Sequence, residues 1–135
     1  MEDRIRLLEK KANQIRKLII EMLAAAGSGH PGGSLSSADI IACLYFDVLR
    51  YDSNNPSWPD RDRFHLSKGH ACPALYAALA LAGYFDIEEL WKLRKLGALL
   101  QGHSDRRVPG IDVGSGSLGQ GLSVALGMAL AGKID

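Results

Sequence analysis

Three of the four histidines stand directly behind a glycine, in Gly29-His30, Gly69-His70 and Gly102-His103; only His65 does not. Glycine has no side chain, so a ligand or a second loop can come close while the neighbouring imidazole projects into the space. A neutral imidazole donates or accepts a hydrogen bond near neutral pH. It can therefore bind sugar hydroxyls, pass a proton, or steady a developing oxyanion. A single Gly-His pair reads more simply as a surface or core histidine. Three of them, together with the glycine-rich run from Gly114 to Gly121, point to a site built from loops. Backbone N–H groups of such a run, at the start of a helix, favour an anion. The chemistry this suits best is a phosphorylated cofactor held by loops, with a hydroxyl-rich substrate contacted by histidines.

Two other constellations fit less well. Histidine is the commonest zinc ligand, yet no His-x-x-x-His or Glu-His pairing stands at ligand spacing, and no cysteine lies near His30 or His103. Residues 114–119, Gly-Ser-Gly-Ser-Leu-Gly, match the dinucleotide fingerprint Gly-x-Gly-x-x-Gly. That fingerprint needs a buried strand before it and an acid about 20 residues on. Ile111-Asp112-Val113 is too short and carries a charge in its middle, and the only acid in range is Asp135.

The composition is that of a globular protein, with 47% hydrophobic and 23% charged residues in a chain of 135. A net charge of +1 with no block of like charges argues against nucleic acid and acidic membranes as partners. Arg61, Arg63, Arg106 and Arg107 stand among Asp60, Asp62 and Asp105, and solvated salt bridges are expected there. Cys43 and Cys72 are too few for a disulfide framework, and each lies in an apolar context that suggests a buried, reduced thiol. No secretion signal or membrane-length apolar run is present, so a cytoplasmic location is expected.

These loops must be positioned by helices. Ile5, Leu8, Ala12, Ile15, Ile19 and Met22 recur at spacings of three and four, which predicts a helix over residues 3–26 that Gly27 ends. Residues 27–33 read as a loop. Ser36 or Ser37 should cap a second helix with Asp39 in its first turn and Ile40, Ile41, Leu44 and Val48 inward. Residues 51–62 read as a surface loop, and Phe64-His65-Leu66 as a short strand. A third helix is expected from about Cys72 to Ala82, with Pro73 in its first turn and Gly83 after it. A fourth should follow Asp86, with Ile87, Leu90, Leu93 and Leu96 on one side. Residues 101–116 read as loop, with Ile111–Val113 as an extended piece. A last helix begins near Leu118 or Gly119 and runs to Ala131, rich in small side chains suited to close packing. Helices dominate and strands are scarce, which suggests a fragment whose central sheet lies mostly outside this chain.

Four motifs in register carry a resemblance. Ser28-Gly29-His30-Pro31-Gly32-Gly33, the run Asp62 to Ala71 containing Ser67-Lys68-Gly69-His70, then Gly102-His103, and Gly116 to Ser123 resemble transketolases in wording, order and spacing. The sister deoxyxylulose-phosphate synthases are less similar. Ser117, and likewise Ser104, stand where many full-length transketolases carry proline, and Ser117 is similar to forms split into two polypeptides. The resemblance implies an α/β fold of the thiamine-diphosphate-binding type, of which this chain is an incomplete, predominantly α-helical N-terminal portion with few short strands. It implies transfer of a two-carbon ketol unit between sugar phosphates, as in the pentose phosphate pathway, with thiamine diphosphate and magnesium as cofactors. His30 would contact the sugar and support proton transfer, and His103 would hydrogen-bond the two-carbon unit. His70 would lie against the diphosphate and thiazolium side. The backbone of Gly116, Ser117 and Leu118 would hold the aminopyrimidine side, with Gly119 and Gly121 allowing close approach. The family's Gly-Asp-Gly magnesium motif and activating glutamate are not in this chain. A C-terminal subunit or domain is therefore an expected partner, and a homo-oligomer an expected assembly. An inactive scaffold role is the alternative.

Overall fold

The computed structural model describes residues 1–134 as a helical structure organised around one long helix. That helix, α1, spans Glu2–Ala26, and Glu2 and Asp3 in its first turn complement the positive end of its dipole. Gly27 closes it in the left-handed conformation, at φ 65°, donating its N–H to the Ala24 carbonyl. The buried stripe is Ala12, Ile15, Leu18, Ile19 and Met22. Ile5, expected inward, is exposed. A helix of 25 residues is about 37 Å long at ~1.5 Å per residue, far longer than the helices that lie against it, and in its first turns Ile5 and Leu7 face solvent while Arg4 reaches across to Asp47.

The segment after Gly27 is more ordered than its glycines suggest. Pro31–Leu35 forms a short helix, α2. Proline suits the first helical position because its missing N–H would have no partner there. Ser34 donates its hydroxyl to the His30 carbonyl and Ser37 donates to Gly33, so serines tie the turn together from within. Helix α3 follows at Ala38–Cys43, with Ser37 at the N-cap position but spending its hydroxyl on Gly33 rather than on capping. The chain then widens into a π-helical turn over Leu44–Val48, with the Leu49 N–H reaching Leu44. The change of pitch shifts the apolar stripe. Ile41 is buried as expected, whereas Ile40 and Val48 face solvent.

Helix α4, Cys72–Leu81, is the centre of the core. Every residue from Cys72 to Leu79 is buried, and α1, α3 and the turn at Ile87–Lys92 pack around it. Gly83, at φ 88°, follows its end. The helix expected after Asp86 is a 3-10 stretch of six residues, Ile87–Lys92, that buries Leu90. Leu93 turns extended and Arg94 enters the left-handed region at φ 64°, so Leu96 is carried into solvent. Helix α5 covers Gln120–Ala131, with Gly119 at φ 88° before it. Only Gly121 of α5 is buried, while Leu122, Leu126 and Leu130 are exposed.

No strand occurs among the described residues. Phe64–Leu66 and Ile111–Val113 stay irregular, because an extended segment becomes a strand only by pairing with another and neither finds one there. The arginines near Asp112 also differ from expectation. Arg61 is not a solvated partner: its side chain is 8% exposed and paired with Asp112, which also accepts from Arg63 at 2.9 Å. Arg61 Nε donates to the Pro56 carbonyl at 2.7 Å, pinning the surface loop to the 110–113 segment. Arg107 does pair with Asp105 at the surface, at 3.0 Å. No helix among the described residues is long and apolar enough to cross a membrane.

Candidate functional site

Cys72, at the head of α4, and Tyr76, one turn further on, fasten the Gln101–Ser104 loop. The Tyr76 side chain is wholly buried, and its hydroxyl lies 3.0 Å from the Gln101 carbonyl oxygen and 2.9 Å from that of His103. Its single proton is shared between them. The Cys72 thiol donates to the same Gln101 carbonyl at 3.6 Å. Burial pushes this thiol up to about 12, so it stays neutral at physiological pH and serves as a donor rather than a nucleophile. Cys43, expected to be buried, is instead exposed, because α3 presents it away from the core. A thiol reagent at pH 8 is therefore expected to label Cys43 alone in the folded chain, with Cys72 reacting only after denaturation. Mass spectrometry of the labelled peptides checks this, and rapid labelling of Cys72 would show that α4 is not packed as described.

His30 sits at the N-cap position of α2, and His70 lies in the 3-10 turn Gly69–Ala71 that leads into α4. Their rings meet edge to face, with centroids 5.2 Å apart and planes at 76°. Gly33 lies close beside this pair, where a Cβ would stand 3.3 Å from His70 Nε2. Lys68 holds the two segments together, its ammonium donating to the Gly33 carbonyl at 2.7 Å and to Ser36 Oγ at 3.1 Å. A cation near the last carbonyls of a short helix also complements its dipole. The two imidazoles open on a small recess shared with Arg94 and Gly102, and Cys72 and Leu93 form part of its wall.

The 114–119 loop is stitched to the same place from the other side. Ser115 donates its hydroxyl to the Leu66 carbonyl and its N–H to Ser104 Oγ, at 3.3 Å for the latter. Gly69 and the Ser115 carbonyl are in such close approach that a Cβ on Gly69 would lie 2.7 Å from the Ser115 carbonyl carbon. Gly121, in the first turn of α5, lies equally close on Ser67, with a Cβ there 2.7 Å from Ser67 Cα. Gly116 faces His103, whose Cδ2 would be 4.0 Å from a Cβ on that glycine. Gly116, Ser117, Leu118 and Gly119 are exposed, leaving their backbone groups open.

The structure thus joins His30 with His70 at one recess, sets Gly102 in the same recess, and brings Gly116 to His103. Lys68, Tyr76, Ser104 and Arg94 also shape this place, in ways that the motifs alone did not reveal. Tyr76 had a legible signal: a tyrosine within an Ala- and Leu-rich helix must find a partner for its hydroxyl. Ser104 and Arg94 had none: Ser104 is met by the Ser115 N–H from another loop, and Arg94 reaches the recess only through the way its own segment folds back. No group of three His, Cys, Asp or Glu side chains converges to hold a metal among the described residues.

Residues 8–134 match the family "transketolase, thiamine diphosphate binding domain", and the chain belongs to that family. It is 56% identical over 129 residues to the 6-deoxy-6-sulfo-D-fructose transketolase subunit SqwG of Clostridium sp. (strain MSTE9), covering 95% of this chain and 47% of that one. It is 42% identical over 131 residues to a subunit of the apulose-4-phosphate transketolase of Phocaeicola vulgatus, covering 97% of this chain and 47% of that one. Its fold superposes on transketolase from Leishmania mexicana with a TM-score of 0.88 at 41% identity, over 92% of this chain and 19% of the other. The chain thus spans about half the length of the two bacterial relatives and about a fifth of the Leishmania enzyme.

Proposed function

We propose that this chain supplies the histidine-bearing half of a thiamine-diphosphate site that transfers a two-carbon ketol unit between sugar phosphates. The observation that carries this reading is the edge-to-face His30–His70 pair, opening on the same recess as Gly102, with the exposed 116–119 backbone set against His103. Bound thiamine diphosphate supplies the nucleophile and electron sink needed to break a carbon–carbon bond beside a ketone. The residues present suit it, since the recess is lined by imidazoles and a guanidinium and is bordered by glycines that leave room.

In this reading His70 and Lys68 set the anionic end of the cofactor, His70 by contact and Lys68 by fixing the Gly33 turn against it. The backbone of Gly116, Ser117 and Leu118 holds the aminopyrimidine, with Gly119 and Gly121 letting that loop sit close. His30 moves a proton at the substrate hydroxyl, and His103 hydrogen-bonds the oxygen of the transferred two-carbon unit. Magnesium belongs to this proposal with ligands supplied from outside residues 1–135.

The partner is a second polypeptide or domain that contributes the remaining cofactor contacts. The names of the two bacterial relatives, each a transketolase subunit, support that. So does α5, whose exposed row of Leu122, Leu126 and Leu130 lies on a helix rich in glycine, alanine and serine. A self-associating assembly and a place in cytoplasmic pentose metabolism belong to the same proposal.

Combining the chain with a C-terminal transketolase subunit, thiamine diphosphate and magnesium should yield ketol transfer from a ketose phosphate to an aldose phosphate. The chain alone should bind the cofactor weakly or not at all by calorimetry. Cofactor binding and assembly without any turnover would favour the scaffold reading instead.

A further inference from the structure

Arg94 is the one non-glycine residue with a positive φ among the described residues, at 64°. Left-handed backbone costs an ordinary side chain about 1 to 2 kcal/mol, and such strain gathers where a side chain must be aimed. Its causes are visible. Leu93 leaves the 3-10 turn in an extended conformation, the Arg94 N–H donates to the Leu100 carbonyl at 2.9 Å, and the Gln101 amide donates to Lys95 and Ala98. The segment is thereby folded back, and the guanidinium is laid across Gly102. A Cβ on Gly102 would stand 3.3, 3.4 and 3.5 Å from Nε, Cζ and Nη2, nearly equal distances that place the guanidinium plane broadside to the glycine.

The Arg94 guanidinium makes no ion pair and no side-chain hydrogen bond among the described residues, although nine other arginine and lysine side chains find carboxylates. It lines the recess into which His30 and His70 also open. A strained backbone, an unpaired planar cation and two imidazoles therefore converge with no acid among the lining residues. A guanidinium with its fork free matches an oxyanion with two parallel N–H bonds.

We infer that Arg94 is an anion-binding residue of this recess, taking a tetrahedral phosphate-type oxyanion with the help of His30 and His70. Only the identity of the molecule that carries the oxyanion, the cofactor's diphosphate or the substrate's phosphate group, rests on the ketol transfer proposed above.

The test uses the full chain and inorganic phosphate as the probe, followed by the imidazole C–H resonances of His30 and His70 and by calorimetry. Phosphate should shift both resonances, and Arg94→Gly should raise the dissociation constant roughly ten-fold or more, as the loss of a charge-assisted bidentate contact predicts. The same variant should melt no lower than the parent, because glycine is at ease at φ 64°. Arg94→Lys, which keeps the charge but not the fork, should fall between the two. In the enzyme assembled with a C-terminal transketolase subunit and magnesium, weaker thiamine diphosphate binding by Arg94→Gly assigns the oxyanion to the cofactor, and a raised KM for the sugar phosphate with cofactor affinity intact assigns it to the sugar. Equal phosphate affinity in the parent and Arg94→Gly would overturn the inference, as would no phosphate binding by the parent at tens of millimolar. Failure of the assembled enzyme to transfer ketol units would sink the functional proposal and leave the phosphate result standing.

Discussion

His103→Ala, measured in the assembled enzyme, is expected to lower turnover roughly ten- to ten-thousand-fold, the span for losing one positioned hydrogen-bonding or acid–base group. Cofactor affinity should hardly change. The structure sharpens this expectation by separating the side chain of His103 from its backbone. The backbone carbonyl is held by the buried Tyr76 hydroxyl at 2.9 Å, a contact that survives in the alanine variant. The imidazole is exposed and faces Gly116, so its removal opens no core cavity. Stability should therefore shift by no more than about 0.5 kcal/mol, as for other surface substitutions. His70→Ala should show the opposite emphasis, weakening cofactor binding first, because His70 is half-buried against Gly33 and His30. If both histidines were merely structural, both variants would lose melting temperature and activity together. Normal turnover by His103→Ala would remove that loop from the substrate.

The second large effect is expected at Gly69. Its backbone is not in the left-handed region, so alanine faces no conformational penalty, and the obstacle is purely steric. A Cβ would stand 2.7 Å from the Ser115 carbonyl carbon and 2.8 Å from Ser115 Cβ, where no flexible side-chain end can yield. Either the turn into α4 moves or the 114–118 loop does. Overpacking of this kind costs about 1 to 3 kcal/mol. Gly69→Ala should therefore melt lower and lose most of its cofactor affinity, because it drives apart the two loops assigned to the cofactor. Gly27→Ala is the matched control. Gly27 sits at φ 65° with nothing within 4 Å of a Cβ, so alanine there adds backbone strain alone. It should cost about 1 kcal/mol or slightly more while cofactor affinity holds. Cofactor calorimetry in the assembled enzyme, with thermal melts on both variants, compares them, and an unchanged cofactor affinity in Gly69→Ala would show that the two loops are not jointly required.

Much of the scaffold was legible because its signals are local. The three- and four-residue spacing of Ala12, Ile15, Ile19 and Met22 announced α1, and Gly27 announced its end. Pro73 before an unbroken apolar run marked α4, and Gly119 marked the entry to α5. Legibility failed wherever a distant partner outweighed the local pattern. Pro31-Gly32-Gly33 reads as loop, yet Lys68 and Ser37 supply the bonds that hold it as a turn of helix. Leu96 belongs to an apolar period that should extend the helix after Asp86. The Arg94–Leu100 hydrogen bond ends it first. Arg61 stands between two aspartates in sequence, but its partner is Asp112, 51 residues away.

The residues of the candidate site were likewise legible by type and not by arrangement. The sequence alone determined that three imidazoles stand behind glycines, that a glycine run opens the last helix, and that these motifs follow a family order. Those properties are one-dimensional, since they depend on which side chains are absent and on helix periodicity. Only the tertiary structure decided that His30 and His70 meet edge to face, that Ser104 and Ser115 tie the 114–119 loop to the Gln101–Ser104 loop, and that Arg94 lies unpaired across Gly102. Each is a contact between loops far apart in the chain, set by how α1, α3 and α4 pack, and no short-range pattern encodes that packing.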